Sequence, residues 1–116
     1  MERMARLVWK HKHTGVRPTA EELQEITDAY DSSIAWVDSE FGKILTQLKR
    51  QERYDESLII FLSDHGEALG EHGAMGHGSN VFEETTRVPL IVKYPKSLNI
   101  RGRVSRLTEF KMSMAG

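Results

Sequence analysis

The residues able to do chemistry are concentrated between Ser63 and Ser79, a stretch holding five of the nine glycines, three of the five histidines and three acids. It opens with Ser63-Asp64-His65-Gly66. Asp64 supplies a hard oxygen ligand and His65 an imidazole, so the pair can hold a metal ion. Adjacent residues reach one ion only where the backbone turns sharply, and Gly66 permits such a turn. Further on, Gly70-Glu71-His72-Gly73 and Gly76-His77-Gly78 present two more histidines beside glycine, where backbone and imidazole can both approach an anion. Protonated or polarised by a metal, His72 and His77 would stabilise charge on a tetrahedral oxyanion. A lone Asp-His pair in a loop ordinarily means a turn residue beside a surface histidine. Three histidines within thirteen residues, each next to glycine, point instead to a metal or anion site.

What must position that stretch lies on either side of it. Ser57-Leu58-Ile59-Ile60-Phe61-Leu62 is a continuous apolar run, the pattern of a strand buried on both faces as in a parallel sheet. In open α/β sheets the reactive groups gather beyond the carboxyl ends of such strands. Upstream, Thr19-Ala20-Glu21-Glu22 has the form of a capping box. From there Leu23, Ile26, Tyr30, Ile34, Val37, Phe41, Ile44, Leu45 and Leu48 recur at helical spacing to about Arg50. Gly42 and Asp31-Ser32-Ser33 are weak helix formers and leave room for a kink or break. Downstream, Ser79 or Asn80 can cap a short helix over 81–86, and residues 88–94 read as a second strand that Pro89 starts or confines to an edge. The order helix, strand, loop, helix, strand is that of an α/β sheet. The two strands are expected to be parallel neighbours, with Ile26, Tyr30, Ile34, Val37, Phe41, Ile44 and Leu48 packed on them. Two strands cannot cover so long a helix, so the expectation is a fragment of a larger α/β domain whose apolar helix face and strand edges invite self-association.

Composition narrows the function classes. With 116 residues, 39% of them hydrophobic and 28% charged, the chain suits one small globular domain. It has no cysteine, which excludes a disulfide framework, a cysteine zinc site and a thiol nucleophile. No apolar run approaches membrane-spanning length, and the basic N-terminus lacks the apolar stretch of a secretory signal. Residues 1–17 and 96–116 each carry five Lys or Arg against one Glu, while the middle is acidic. Basic ends around an acidic middle do not form the coherent basic face that nucleic acid requires, and read as solvated charge. Three segments follow: a basic N-terminal segment 1–18, a partial catalytic domain 19–95 and an irregular basic tail 96–116.

The stretch LIIFLSDHGEALGEHGAMGHGSNVFEETTRVPLIVKYP, residues 58–95, resembles the C-terminal part of the catalytic domain of a sulfatase, within the alkaline phosphatase superfamily. YDSSIAWVDSEFGKILTQL, residues 30–48, resembles the helix that precedes this strand in those proteins. The resemblance implies that Asp64 and His65 are metal ligands and that His77 binds the transferred sulfuryl or phosphoryl group, with His72 lining the same site. It makes Arg87-Val88-Pro89 a structural entry into the next strand. It also implies calcium, although a histidine ligand is more at home with manganese or zinc.

The departures bear on activity. Family members attack with a formylglycine made from Cys or Ser two residues before a proline, whereas the residues at that distance here are Val16, Arg87 and Lys93. The strand that brings the family's acidic pair to the metal has no counterpart, and Leu107-Thr108-Glu109-Phe110 does not continue the family pattern. The expectation is a fragment of a metal-dependent sulfuric ester hydrolase, inactive alone. The alternatives are a fragment of a phosphonate or phosphate monoester hydrolase, or a noncatalytic interaction module.

Overall fold

In the computed structural model the described residues are 2–100 and 102. Thr19 forms the capping box that its sequence predicts: the Glu22 amide donates to Thr19 Oγ1 at 3.1 Å, and the Thr19 amide donates to Glu22 Oε2 at 2.9 Å. Helix α2 runs from there, Ala20–Arg50, without a break. Along it Thr27, Ser32, Ser33 and Thr46 turn their hydroxyls back onto the carbonyls of Leu23, Asp28, Ala29 and Gly42. The helix ends in a Schellman arrangement, with the Arg53 amide on the Leu48 carbonyl and the Glu52 amide on that of Lys49.

The basic N-terminal segment is itself a helix, α1, Glu2–Thr14. Met4, Leu7, Val8 and His11 share its covered face, a spacing of three and four residues, and pack it against α2 and the loop beyond. The Gly15 amide closes it on the His11 carbonyl, with Gly15 in the left-handed region. Arg3–Glu25 and Lys10–Glu22 ion pairs tie α1 to α2.

Strand β1, Ile59–Leu62, pairs with β4, Leu90–Lys93. The pairing is antiparallel, with Phe61 opposite Ile91 and Leu62 opposite Leu90, which corrects the expectation of parallel neighbours. A parallel return needs a crossover element long enough to lie along the sheet. Between these strands the chain forms only the four-residue helix α3, Glu83–Thr86, and a small antiparallel hairpin of β2, Ala68–Leu69, with β3, Met75–Gly76. With nothing to carry it back to its starting end, the chain returns the way it came. The result remains a mixed helix-and-sheet fragment, consistent with part of an α/β domain. Lys93 fastens the open end of the pair, donating to the carbonyls of Tyr54, Asp55 and Ser57.

The expected helix face is covered only in part. Ile26 is fully buried where α2 meets α1 and the β2–β3 hairpin, and Phe41 meets Phe61 of β1 at 5.1 Å between ring centroids. Ile34, Val37 and Ile44 remain exposed. A 31-residue helix is about 46 Å long, whereas a four-residue strand spans about 13 Å, so this sheet is too short for the face offered to it. An apolar groove of about 300 Å³ separates the two, lined by Phe41, Leu45, Ile59, Phe61 and Ile91 among others. On the other side of the sheet Leu58, Ile60, Leu62 and Leu90 face outward, so the run read as buried on both faces is covered on one. Of the tail, Lys96–Leu98 is a single 3₁₀ turn, and the segment around 107–110 lies outside the described residues.

Candidate functional site

The loop between β1 and α3 owes its order to the core it shares with α1 and α2. Ala68 and Met75 are buried on opposite faces of the hairpin, whose register sets Ala68 opposite Gly76 and Leu69 opposite Met75. Continuing that register by one residue sets Glu67 opposite His77. The contact is made: His77 Nδ1–H donates to Glu67 Oε2 at 2.8 Å. His65 lies two residues before Glu67, on the same side of an extended chain. Its ring stacks on that of His77, with centroids 3.7 Å apart and planes 26° from parallel.

Two glycines hold this geometry. Gly66, which the sequence assigns to a sharp turn, has a backbone that is not left-handed. It is a point of contact: a Cβ there would lie 2.0 Å from the Glu84 carbonyl oxygen, and its amide donates to the Thr85 carbonyl at 2.9 Å. This bond attaches α3 to the loop directly after His65. Gly76, at φ 76°, is the left-handed position, and α1 crosses it closely with Val8 and Lys12. Lys12 Nζ donates to the His77 carbonyl at 2.6 Å. The basic N-terminal helix thus helps to position the histidine.

Asp64 leaves the end of β1 with its side chain largely in solvent; its Oδ1 accepts the His65 amide at 3.0 Å. His65 Nδ1–H donates to the Gly66 carbonyl at 2.8 Å, which directs the free electron pair to Nε2. That nitrogen lies 3.8 Å from Asp64 Oδ1, close to the separation of two ligands on one ion. The structure therefore brings His65 against both its neighbour Asp64 and His77 beyond the carboxyl end of β1, and the three side chains within ligand distance of one another are His65, Glu67 and His77. His72 makes a different set of contacts. In a left-handed conformation, φ 53°, it sets Nε2 3.3 Å from Glu84 Oε1 and its ring 4.5 Å from that of Phe82. Glu84 is the residue whose carbonyl abuts Gly66, so His72 braces α3 against the loop.

Glu67 is the residue that reading the sequence missed. The signal was present in the His65-x-Glu67 alternation, which puts two side chains on one face of an extended segment. It had force only once the hairpin was known. The sequence suggested Ser79 or Asn80 as a helix cap, but the N-cap of α3 is Phe82, with no side-chain cap bond; Asn80 Oδ1 instead accepts the Phe82 amide at 3.2 Å and the Thr85 hydroxyl at 3.0 Å, a turn just ahead of the helix.

The donor set fits part of a divalent cation shell. One carboxylate and one imidazole on adjacent residues suit zinc or manganese, and leave calcium most of its six to eight oxygens to find elsewhere. Away from these ligands, Lys10 and the Thr19 amide hold the Glu22 carboxyl down at about 2, fixing the α1–α2 junction.

The sulfatase family model matches residues 9–106. Choline-sulfatase of Rhizobium meliloti is 38% identical over 77 residues, 66% of this chain and 15% of its own length. Human iduronate 2-sulfatase is 37% identical over 86 residues, 74% of this chain and 14% of its own. A multifunctional alkaline phosphatase superfamily protein, PehA of Trinickia caryophylli, is 37% identical over 73 residues, 62% and 14% respectively. The chain thus spans about a seventh of the length of these curated relatives. No solved structure matches it significantly.

Proposed function

This chain belongs to the sulfatase family, and from that premise we propose that it forms the metal- and anion-binding part of a sulfuric ester hydrolase. The observation carrying the reading is the position of His65 beyond one strand end, with its Nε2 3.8 Å from Asp64 Oδ1 and its ring stacked on that of His77. Asp64 and His65 would hold a divalent cation, calcium first by family resemblance, with manganese or zinc as the alternatives. Such an ion polarises the ester oxygens when bound. His77, positioned by the Glu67 carboxylate, would meet an oxygen of the transferred group and steady the charge that develops there. His72 has a supporting part, holding α3 and hence the loop around Gly66.

By itself the chain is proposed to be inactive, because none of its 116 residues stands in the nucleophile context described above. Phosphate or phosphonate monoesters are the neighbouring substrate class, in keeping with the name of the Trinickia relative.

A graft tests the proposal. The matching segment of the Rhizobium choline-sulfatase is replaced by residues 9–106, and turnover of a sulfate ester and a phosphate ester is measured with each metal. Sulfate ester turnover is expected in the graft, lost on Asp64→Ala and reduced on His77→Ala. A folded graft that turns over substrate equally well with Asp64→Ala and His77→Ala refutes the assignment, as does robust turnover by the 116-residue chain alone.

A further inference from the structure

The geometry points to a second use of the same hairpin: His65, Glu67 and His77 form a binding site for a borderline transition ion, zinc above all, that does not involve Asp64. This goes beyond the ester-hydrolysis reading, in which Glu67 is no ligand and His77 meets an anion. One ligand atom from each of the three side chains lies within 4.8 Å of the others, and among the described residues this is the group so arranged. Atoms bound to one zinc sit about 3.4 Å apart, from Zn–N and Zn–O bonds of about 2.1 Å in a tetrahedron. Closing the difference takes at most about 1.4 Å of movement. The rings stack 26° from parallel, so their in-plane electron pairs do not yet meet, and one imidazole must rotate. Both are about half exposed and can do so, while Glu67, 18% exposed, is the fixed member.

The surroundings already supply the supporting bonds. His65 Nδ1–H is held by the Gly66 carbonyl, which orients its Nε2 as a ligand. The Lys12 bond to the His77 carbonyl and the register of the hairpin fix the backbone on the other side. Two nitrogens and one carboxylate are the donor set of an open zinc site, with a fourth position left for water. Calcium gains little from it, because imidazole is a poor partner for a hard ion that needs six or more oxygens.

The purified 116-residue chain is titrated calorimetrically with zinc and with calcium, and with cobalt(II) while visible absorption is recorded. One equivalent of zinc is expected to bind at least about tenfold more tightly than calcium, and cobalt to give the intense bands of a four-coordinate site. Glu67→Gln and His77→Ala should each weaken zinc about tenfold or more, whereas Asp64→Ala should leave it within about threefold. Because either variant could loosen the hairpin, the parent chain is also followed by NMR, where zinc must shift the imidazole resonances of His65 and His77 together. The proposal falls if calcium binds as tightly as zinc, if zinc binding depends on Asp64 rather than Glu67, or if the shifted imidazoles are those of His11, His13 or His72. None of these outcomes alters the graft experiment, which reads ester turnover.

Discussion

Replacing Gly66 by alanine should separate the histidine loop from α3. The added Cβ would lie 2.0 Å from the Glu84 carbonyl oxygen and 3.0 Å from its carbon, both fixed backbone atoms. Relief to an ordinary carbon–oxygen contact requires a retreat of about 1.3 Å. That stretches the 2.9 Å bond from the Gly66 amide to the Thr85 carbonyl to about 4 Å, beyond hydrogen-bond range. The loss is about 1 kcal/mol for the bond and about 1–3 kcal/mol for the strain of overpacking, about 2–4 kcal/mol in all. At 1.4 kcal/mol per factor of ten, opening between the loop and α3 becomes roughly 30- to 700-fold more frequent. Amide hydrogen exchange at residue 66 reads this directly, and the cross-peaks between the His65 and His77 rings should weaken with it. Gly42→Ala is the control. It sits in α2 with nothing within 4 Å of the added carbon, and should stabilise the helix by about 0.5–1 kcal/mol. Exchange at residue 66 within about threefold of the parent, under 1 kcal/mol, would show that the close approach to Glu84 does not hold the site.

Two other perturbations reach the scaffold. Ile26→Ala removes the one large side chain that is fully buried among the described residues, and should cost about 2–5 kcal/mol in urea denaturation, the spread reflecting how far the site can collapse; a cost below about 1 kcal/mol would mean that α1, α2 and the hairpin do not share a core. Acid should loosen the α1–α2 junction, because Glu22 titrates at about 2 in the fold and near its ordinary value when unfolded. Its contribution is whole above about pH 4.5 and is lost as pH falls towards 2, so Trp9 fluorescence should report the change in that window and Glu22→Gln should flatten it.

What could be read in advance was what depends on neighbours in sequence. The Thr19–Glu22 box and the apolar spacing behind it specify α2 to within a residue, because a cap and a helical face are local properties. Placing His65 against His77 needed only that a strand end before them and that the chain turn back. The direction of β4 was not local. It depended on what filled the connection, and a hairpin of two-residue strands leaves almost no pattern to read. Helix α1 was hidden differently: its basic residues dominate the segment, while Met4, Leu7, Val8 and His11 carry the helical period beneath them. Glu67 was passed over for the same reason as the hairpin, since its partner His77 is adjacent only in the folded register.

The outward face of the β1–β4 pair makes stability a matter of mass action. Leu58, Ile60, Leu62 and Leu90 are roughly half exposed, and each would gain from any surface that covers them. A binder present at a hundred times its dissociation constant adds about 2.7 kcal/mol to the folded state. A thermal midpoint measured on this chain is therefore a property of the solution, rising with the concentration of whatever covers that face.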